Sequence, residues 1–227
     1  MPLSPRSRLV NSALATCLIT SVAACAPSNA DKRSFPDPNM DVPAQPGDDT
    51  RTAVLAGGCF WGVEAVFEHV KGVEDVVSGF AAGAAENAQY QQVGSSKTQH
   101  AEAVRIVYDP AKVTYGQLLK IFFSVAHDPT QLNRQGPDVG PQYRSAVFIA
   151  NPDEQRAVEA YIEQITDAEI YRKPIVTEVA PLQGFHAAGS NHQNFAARNP
   201  NHPYIVINDA PKIARLKREW PEYYRER

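Results

Sequence analysis

The chain has 227 residues, 43% hydrophobic and 21% charged, with a net charge of −3. This length and balance suit one soluble globular domain with an appendage. No basic tract is present, so nothing points to nucleic acid.

Residues 1–24 read as a signal peptide. Arg6 and Arg8 give a positive start, and a mostly apolar stretch from Leu14 to Ala24 follows, interrupted by Thr16, Thr20 and Ser21. It falls short of the ~20 apolar residues that span a bilayer. Val22-Ala23-Ala24-Cys25 resembles a bacterial lipoprotein box, which would make Cys25 the lipidated first residue of the mature chain. Ordinary cleavage at a small-residue site, with Cys25 incidental, is the other reading. Removing residues 1–24 leaves 20 Lys+Arg against 25 Asp+Glu, a net −5. Such a surface is not drawn to anionic headgroups, so attachment to a membrane is expected through the lipid alone, in the bacterial periplasm. Residues 25–50 carry Pro27, Pro36, Pro38, Pro43 and Pro46 among Asp, Asn and Ser, and are expected to be a disordered tether. Residues 51–227 are the expected folded domain. The cysteines are Cys17, Cys25 and Cys59. With Cys25 lipidated, the domain holds one thiol and no internal disulfide, which favours a working thiol in an exported protein.

The domain opens on an apolar run, Ala53 to Ala56, then Gly57-Gly58-Cys59-Phe60-Trp61-Gly62. After it Val63, Val66, Phe67 and Val70 fall at helical offsets. A strand, two glycines, a cysteine and a helix put the cysteine at a helix N-terminus. Free N–H groups and the helix dipole there stabilise a thiolate, and the expectation is a pKa below the ordinary ~8.5. A buried structural cysteine is the alternative.

Val73 to Phe80 reads as a strand, and residues 81–101 mostly as a loop that contains Tyr90. Ala101 to Tyr108 is a strand closed by Asp109-Pro110. Alternation puts Glu102 on the face of Val104, Ile106 and Tyr108. A carboxyl on an apolar face is poorly solvated, stays neutral and can donate a proton; at the strand end it could instead sit in water. Thr114 caps a helix whose core stripe is Leu118, Leu119, Phe122 and Phe123. Residues 126–144, with three prolines and two glycines, form a long loop carrying Asp128, Arg134, Asp138 and Tyr143. Ser145 to Ile149 is a strand, and Asn151-Pro152-Asp153-Glu154 starts a helix running to about Ile165. A strand at Ile175 to Val179, a helical segment at Asn191 to Arg198, apolar Tyr204 to Ile207 and a helix from Pro211 to about Arg218 complete the chain. The fold class expected is α+β: a two-layer sandwich of helices on a mixed or antiparallel sheet, with a ferredoxin-like core, extra helices and long loops. The six histidines have no short-spaced pairing with cysteine, so structural zinc is not expected. A cysteine–histidine pair would need folding to bring a histidine to Cys59.

Three motifs in order then carry a resemblance: Gly57-Gly58-Cys59-Phe60-Trp61-Gly62 with Glu64; His100-Ala101-Glu102-Ala103-Val104; and His127-Asp128-Pro129-Thr130 through Asn133-Arg134-Gln135-Gly136, Asp138, Gly140 and Gln142-Tyr143-Arg144-Ser145. With His192-Gln193 and Asn199-Pro200 they make residues 51–218 similar to the A-type peptide methionine sulfoxide reductases. This class restores methionine from one sulfoxide epimer. The resemblance implies that Cys59 is the nucleophile on sulfur and Glu102 the acid that protonates the sulfoxide oxygen. Tyr90 and Tyr143 would hydrogen-bond that oxygen, Phe60 and Trp61 would receive the methyl group, and Asp138 would organise the polar side. It implies the (S)-S-oxide, free or in proteins, as substrate. It also implies no bound cofactor, and an external reductant such as thioredoxin or a small thiol.

The chain departs from the common pattern at Phe80-Ala81-Ala82-Gly83-Ala84, at Gln99 and at Pro137. It has no recycling cysteine in Asn208 to Arg227, so a Cys59 sulfenic acid is expected to be resolved by an external thiol. A thiol peroxidase and a non-catalytic lipoprotein binding methionine-rich peptides on Phe60 and Trp61 are the competing classes. Neither needs a neutral carboxyl at Glu102.

Overall fold

Four apolar residues in a row make a strand that can be buried on both faces, and that strand becomes the centre of the sheet. The structure, a computed structural model, describes Met1, residues 35–43, Gly47 and residues 49–227. The expected signal peptide beyond Met1, and Cys25, lie outside these residues. Strand β1 (Arg51–Gly57) leads to helix α1 (Phe60–Glu68) and strand β2 (Val73–Ala81). A 3-10 turn at Ala85–Asn87 and a short helix α2 (Tyr90–Gly94) precede β3 (Ala101–Tyr108). Helix α3 (Tyr115–Ile121) runs on into a π turn, Phe122–Ala126. A small hairpin, β4 (Arg134–Gln135) and β5 (Asp138–Val139), and a 3-10 turn at Pro141–Tyr143 lead to β6 (Ser145–Ile149). Then come α4 (Pro152–Asp167), β7 (Glu178–Pro181), β8 (Phe185–Ala187), α5 (Phe195–Arg198), a π turn at Ile205–Asp209 and α6 (Ala210–Glu219).

The six-stranded sheet has the order β7-β6-β1-β3-β2-β8. All its pairings are antiparallel except β6 with β7. The inner β6-β1-β3-β2 with α1 and α3 is a ferredoxin-like core, and the class is α+β as expected. Alternation splits β1 and β3 cleanly. Ala53, Leu55, Val104, Ile106 and Tyr108 face the helices, in one cluster with Val63, Val66, Leu118, Leu119 and Val158. Val54, Ala56, Ala101 and Ala103 face the other way, under Ala180, Leu182 and Phe185. Helix α1 is buried nearly all round, which is why its sequence is apolar beyond a single stripe.

Local signals decide the helix starts. Thr114 accepts from the Gln117 N–H at 3.2 Å while the Gln117 side chain accepts from the Thr114 N–H at 2.9 Å, a reciprocal cap. Asn151 accepts from the N–H groups of Asp153 and Glu154, with Pro152 at the first helical position.

Several expectations are corrected. The loop at 81–101 contains α2, so Tyr90 opens a helix anchored by buried Val93. The loop at 126–144 contains the hairpin. The strand expected at Ile175 to Val179 is displaced to Glu178–Pro181, because the Val176 N–H donates to the Pro129 carbonyl instead of the sheet. Strand β8 was not foreseen, and the helix expected from Asn191 is only Phe195–Arg198, preceded by Asn194 at φ +53. Part of the expected tether is also ordered. Asp37 pairs with buried Lys120 at 2.6 Å, and Tyr161 Oη donates to the Pro36 carbonyl at 3.1 Å. Asp41 Oδ1 accepts from the Gly116 N–H at 2.9 Å, so residues 35–43 strap α3 and α4. Proline-rich composition removes helix and strand, but does not prevent docking when carboxylates meet helix N–H groups and a buried ammonium.

Candidate active site

The turn from β1 into α1 places the cysteine as the sequence suggests. Gly58 sits at φ +96, where a side chain would also crowd Gln135 at 2.5 Å. Gly57 needs closeness rather than a special φ: a Cβ there would lie 3.0 Å from the Phe122 ring and 3.2 Å from His127 Cβ. Cys59 is the N-cap of α1 and is half-buried.

Glu102 lies on the helix-facing side of β3, opposite Phe80, and is 3% exposed. Its Oε2 accepts from the Phe60 N–H at 3.1 Å, so the carboxyl meets the helix one residue beyond the cysteine. Burial pushes Glu102 up to about 8; the Phe60 N–H opposes this and the Asp138 charge adds to it. The group is therefore mostly neutral at pH 7, and the water-exposed reading of Glu102 is excluded.

Cys59 corrects an expectation. Its pKa is raised well above the ordinary value, first by burial, then by the charges of Glu102 and Asp209, with Asp138 adding to them; only the Trp61 N–H pulls it down. The helix end is real, but a desolvated thiol ringed by carboxyl groups does not ionise more easily for it.

The aromatic side is continuous. Phe60, 1% exposed, lies 5.8 Å from Phe80, 5.5 Å from His192 and 6.4 Å from Tyr90, ring centre to ring centre. Trp61 stacks on Phe195 at 3.8 Å and meets Tyr204 edge-on at 5.9 Å. Tyr90 is exposed and stacks on His192 at 4.2 Å. The phenols of Tyr90 and Tyr143 are both pushed up, first by burial and then by charge on Glu102, with Cys59 and Asp138 contributing. Asp138 accepts a hydrogen bond from the Tyr204 hydroxyl. Elements far apart in sequence thus gather Cys59, Phe60, Trp61, Tyr90, Glu102, Asp138 and Tyr143 around one centre. Among the described residues no group of His, Cys, Asp and Glu is arranged to hold a metal ion.

The family model described as "Peptide methionine sulfoxide reductase" matches residues 51–224. The chain belongs to the peptide methionine sulfoxide reductase family. Peptide methionine sulfoxide reductase MsrA 2 of Mesorhizobium japonicum is 53% identical over 188 residues, covering 83% of this chain and 95% of that protein. MsrA 2 of Synechocystis is 47% identical over 190 residues, covering 83% and 89%. Among solved structures, methionine sulfoxide reductase A of Corynebacterium diphtheriae superposes with a TM-score of 0.58 at 33% identity, covering 75% of this chain and 88% of that one. Reduced Mxr1 of Saccharomyces cerevisiae gives 0.62 at 28% identity, covering 70% and 91%.

This methionine sulfoxide reductase has site neighbours that sequence reasoning missed. Tyr204 read only as part of an apolar run, although its partner Asp138 is 66 positions away. Phe195 and Asp209 carried no local signal. His192 was marked only as a motif residue; it is buried between Phe60, Trp61 and Tyr90, and burial lowers its pKa, so it serves as a neutral ring in the aromatic wall.

Proposed function

We propose that Cys59 reduces methionine (S)-S-oxide, free or in proteins, with Glu102 as the proton donor. The observation that carries this is the buried, neutral Glu102 carboxyl held to the Phe60 N–H beside the cysteine. Sulfoxide oxygen leaves poorly until protonated, so the acid must face the attacking sulfur. Tyr90 and Tyr143 hold the oxygen, Phe60 and Trp61 take the methyl group, and Asp138, fixed by Tyr204, orders the polar side. An apolar wall opposite polar donors selects one configuration at sulfur. The thiol and the sulfoxide give a Cys59 sulfenic acid and the thioether: the cysteine sulfur is oxidised by two electrons and the methionine sulfur reduced by two. With burial and nearby carboxyl groups holding the resting thiol protonated, the Cys59 proton passes on as the sulfur attacks and replaces the one Glu102 gives up.

An external thiol, from thioredoxin or a small thiol, then attacks the sulfenic acid and releases water; a second thiol frees Cys59 as the external disulfide forms. No bound cofactor is required. The neutral Glu102 also favours this reading over a non-catalytic peptide binder, which has no leaving oxygen to protonate. The signal-like residues 1–24 support repair of exported proteins in the periplasm, with the chain held to the membrane through lipid on Cys25. Mass spectrometry of the membrane fraction should find an acylated N-terminal Cys25.

The deciding assay offers the two separated epimers without reductant. Consumption of one equivalent of the S form, with Cys59 labelled by a sulfenic-acid probe, is expected. Consumption of the R form, or a protein disulfide in place of the label, overturns the reading.

A further inference from the structure

Cys59 is ringed by titratable groups from several elements. Glu102 comes from β3, Asp138 from β5, Tyr143 from the turn after it and Tyr90 from α2. Tyr204 and Asp209 come from the segment before α6. The last of these has no role in the chemistry above, and its setting is unusual. Asp209 is wholly buried, and its Oδ2 has no hydrogen-bond partner among the described residues. Its Oδ1 lies 3.3 Å from Lys212 Nζ, whose side chain is 21% exposed.

The pair sits against the first turn of α1. A Cβ on Gly62 would collide with Asp209 Oδ1 and come within 2.7 Å of Lys212 Nζ. Gly62 lies three residues after Cys59, so it shares that side of the helix with the thiol. Lys212 also disfavours a charged His127, whose Cβ lies 3.2 Å from the position of a Cβ on Gly57. The ammonium therefore lies against α1 at Gly62, beside the Asp209 carboxylate. A carboxylate here costs free energy unless it is matched, and glycine at position 62 is what admits it.

We propose that Asp209 and Lys212 are positioning residues for Cys59: a buried carboxylate behind the first turn of α1, and the ammonium that cancels it, together set how readily the thiol ionises. Asp209 is wholly buried and so acts through the thiol. Burial raises the Asp209 pKa and Lys212 opposes the rise; after burial and Glu102, the Asp209 charge is the next contribution holding the Cys59 thiol protonated. The carboxylate thus favours the protonated thiol, and in this proposal the ammonium opposes it. The proposal rests on Cys59 being the reacting thiol. Alkylation reads that thiol directly, so failure here is separable from failure of the epimer assay.

The test is iodoacetamide alkylation of the full chain across pH, followed on the Cys59 peptide by mass spectrometry so that Cys17 and Cys25 do not contribute. Asp209→Asn removes one negative charge with little change of shape. It should lower the pH midpoint by about one unit, an increase of about tenfold in rate at a pH below the midpoint. Lys212→Met leaves the carboxylate uncompensated and should move the midpoint up, with a fall of about the same size. The double variant should return close to wild type, and Lys212→Arg should behave as wild type. Opposite shifts that cancel support the proposal. Single variants that move the midpoint in the same direction, or leave it where it was, overturn it, because a purely structural role has no reason to change sign with charge.

Discussion

Replacing Glu102 by Gln tests the chemistry and the electrostatics together. The glutamine keeps the shape and can still accept from the Phe60 N–H, now 3.1 Å from Oε2, but it cannot give up a proton. With Glu102 at about 8, roughly nine in ten molecules carry its proton at pH 7. Removing a general acid of that kind should cost about 10²–10⁴ in kcat/KM. The alkaline limb of the wild-type profile should fall with a midpoint near 8, and this limb should be missing in the variant. Stability should move the other way. Between the ordinary value of 4.5 and about 8, the folded chain binds a proton that the unfolded chain does not. Stability is therefore fully present below 4.5 and is lost as pH rises through that window, by at most ~5 kcal/mol. Glutamine removes this loss but leaves buried amide hydrogens without a partner, at ~1–3 kcal/mol. The variant should thus gain roughly 3 kcal/mol on wild type at pH 8.5 and lose roughly 2 kcal/mol at pH 4.5, where only the amide cost remains, read by denaturant unfolding at both pH values. Activity within about tenfold of wild type, or unfolding curves that stay parallel from pH 4.5 to 8.5, would refute the reasoning.

Two further outcomes follow from particular contacts. Tyr204→Phe keeps the edge contact with Trp61, 5.9 Å between ring centres, but loses the hydroxyl held by Asp138. It should lower kcat/KM several-fold at unchanged melting temperature, and unchanged kinetics would remove Tyr204 from the site. Asp37→Ala strands the Lys120 ammonium, which is 4% exposed and lies 3.7 Å from the Trp220 ring centre. Because the Asp37 side chain is 81% exposed, the loss should be only about 1 kcal/mol, some 2–4 °C in Tm. Lys120→Met should be neutral or stabilising. If Asp37→Ala leaves Tm unchanged by calorimetry, the Asp37 carboxylate adds nothing to the stability of the domain.

The sequence by itself determined whatever depends on neighbours within a turn or along one strand. The Thr114 cap, the Asn151 cap, Cys59 at a helix start and Glu102 on the core face of its strand were all legible, because periodicity and capping act over at most four residues. The α+β class with its ferredoxin-like core was legible too, because the order of strands and helices leaves few topologies. Only the tertiary structure decided the rest. It joined Tyr204 to Asp138 across 66 positions, docked Asn39 on Gln164 across 125, and added β8 at the sheet edge. It also reversed the expected sign at Cys59. A helix N-terminus favours a thiolate wherever it occurs, but the burial and the carboxyl groups that outweigh it come from β3, β5 and the segment before α6, and no local pattern announces which charges the folded chain will bring together.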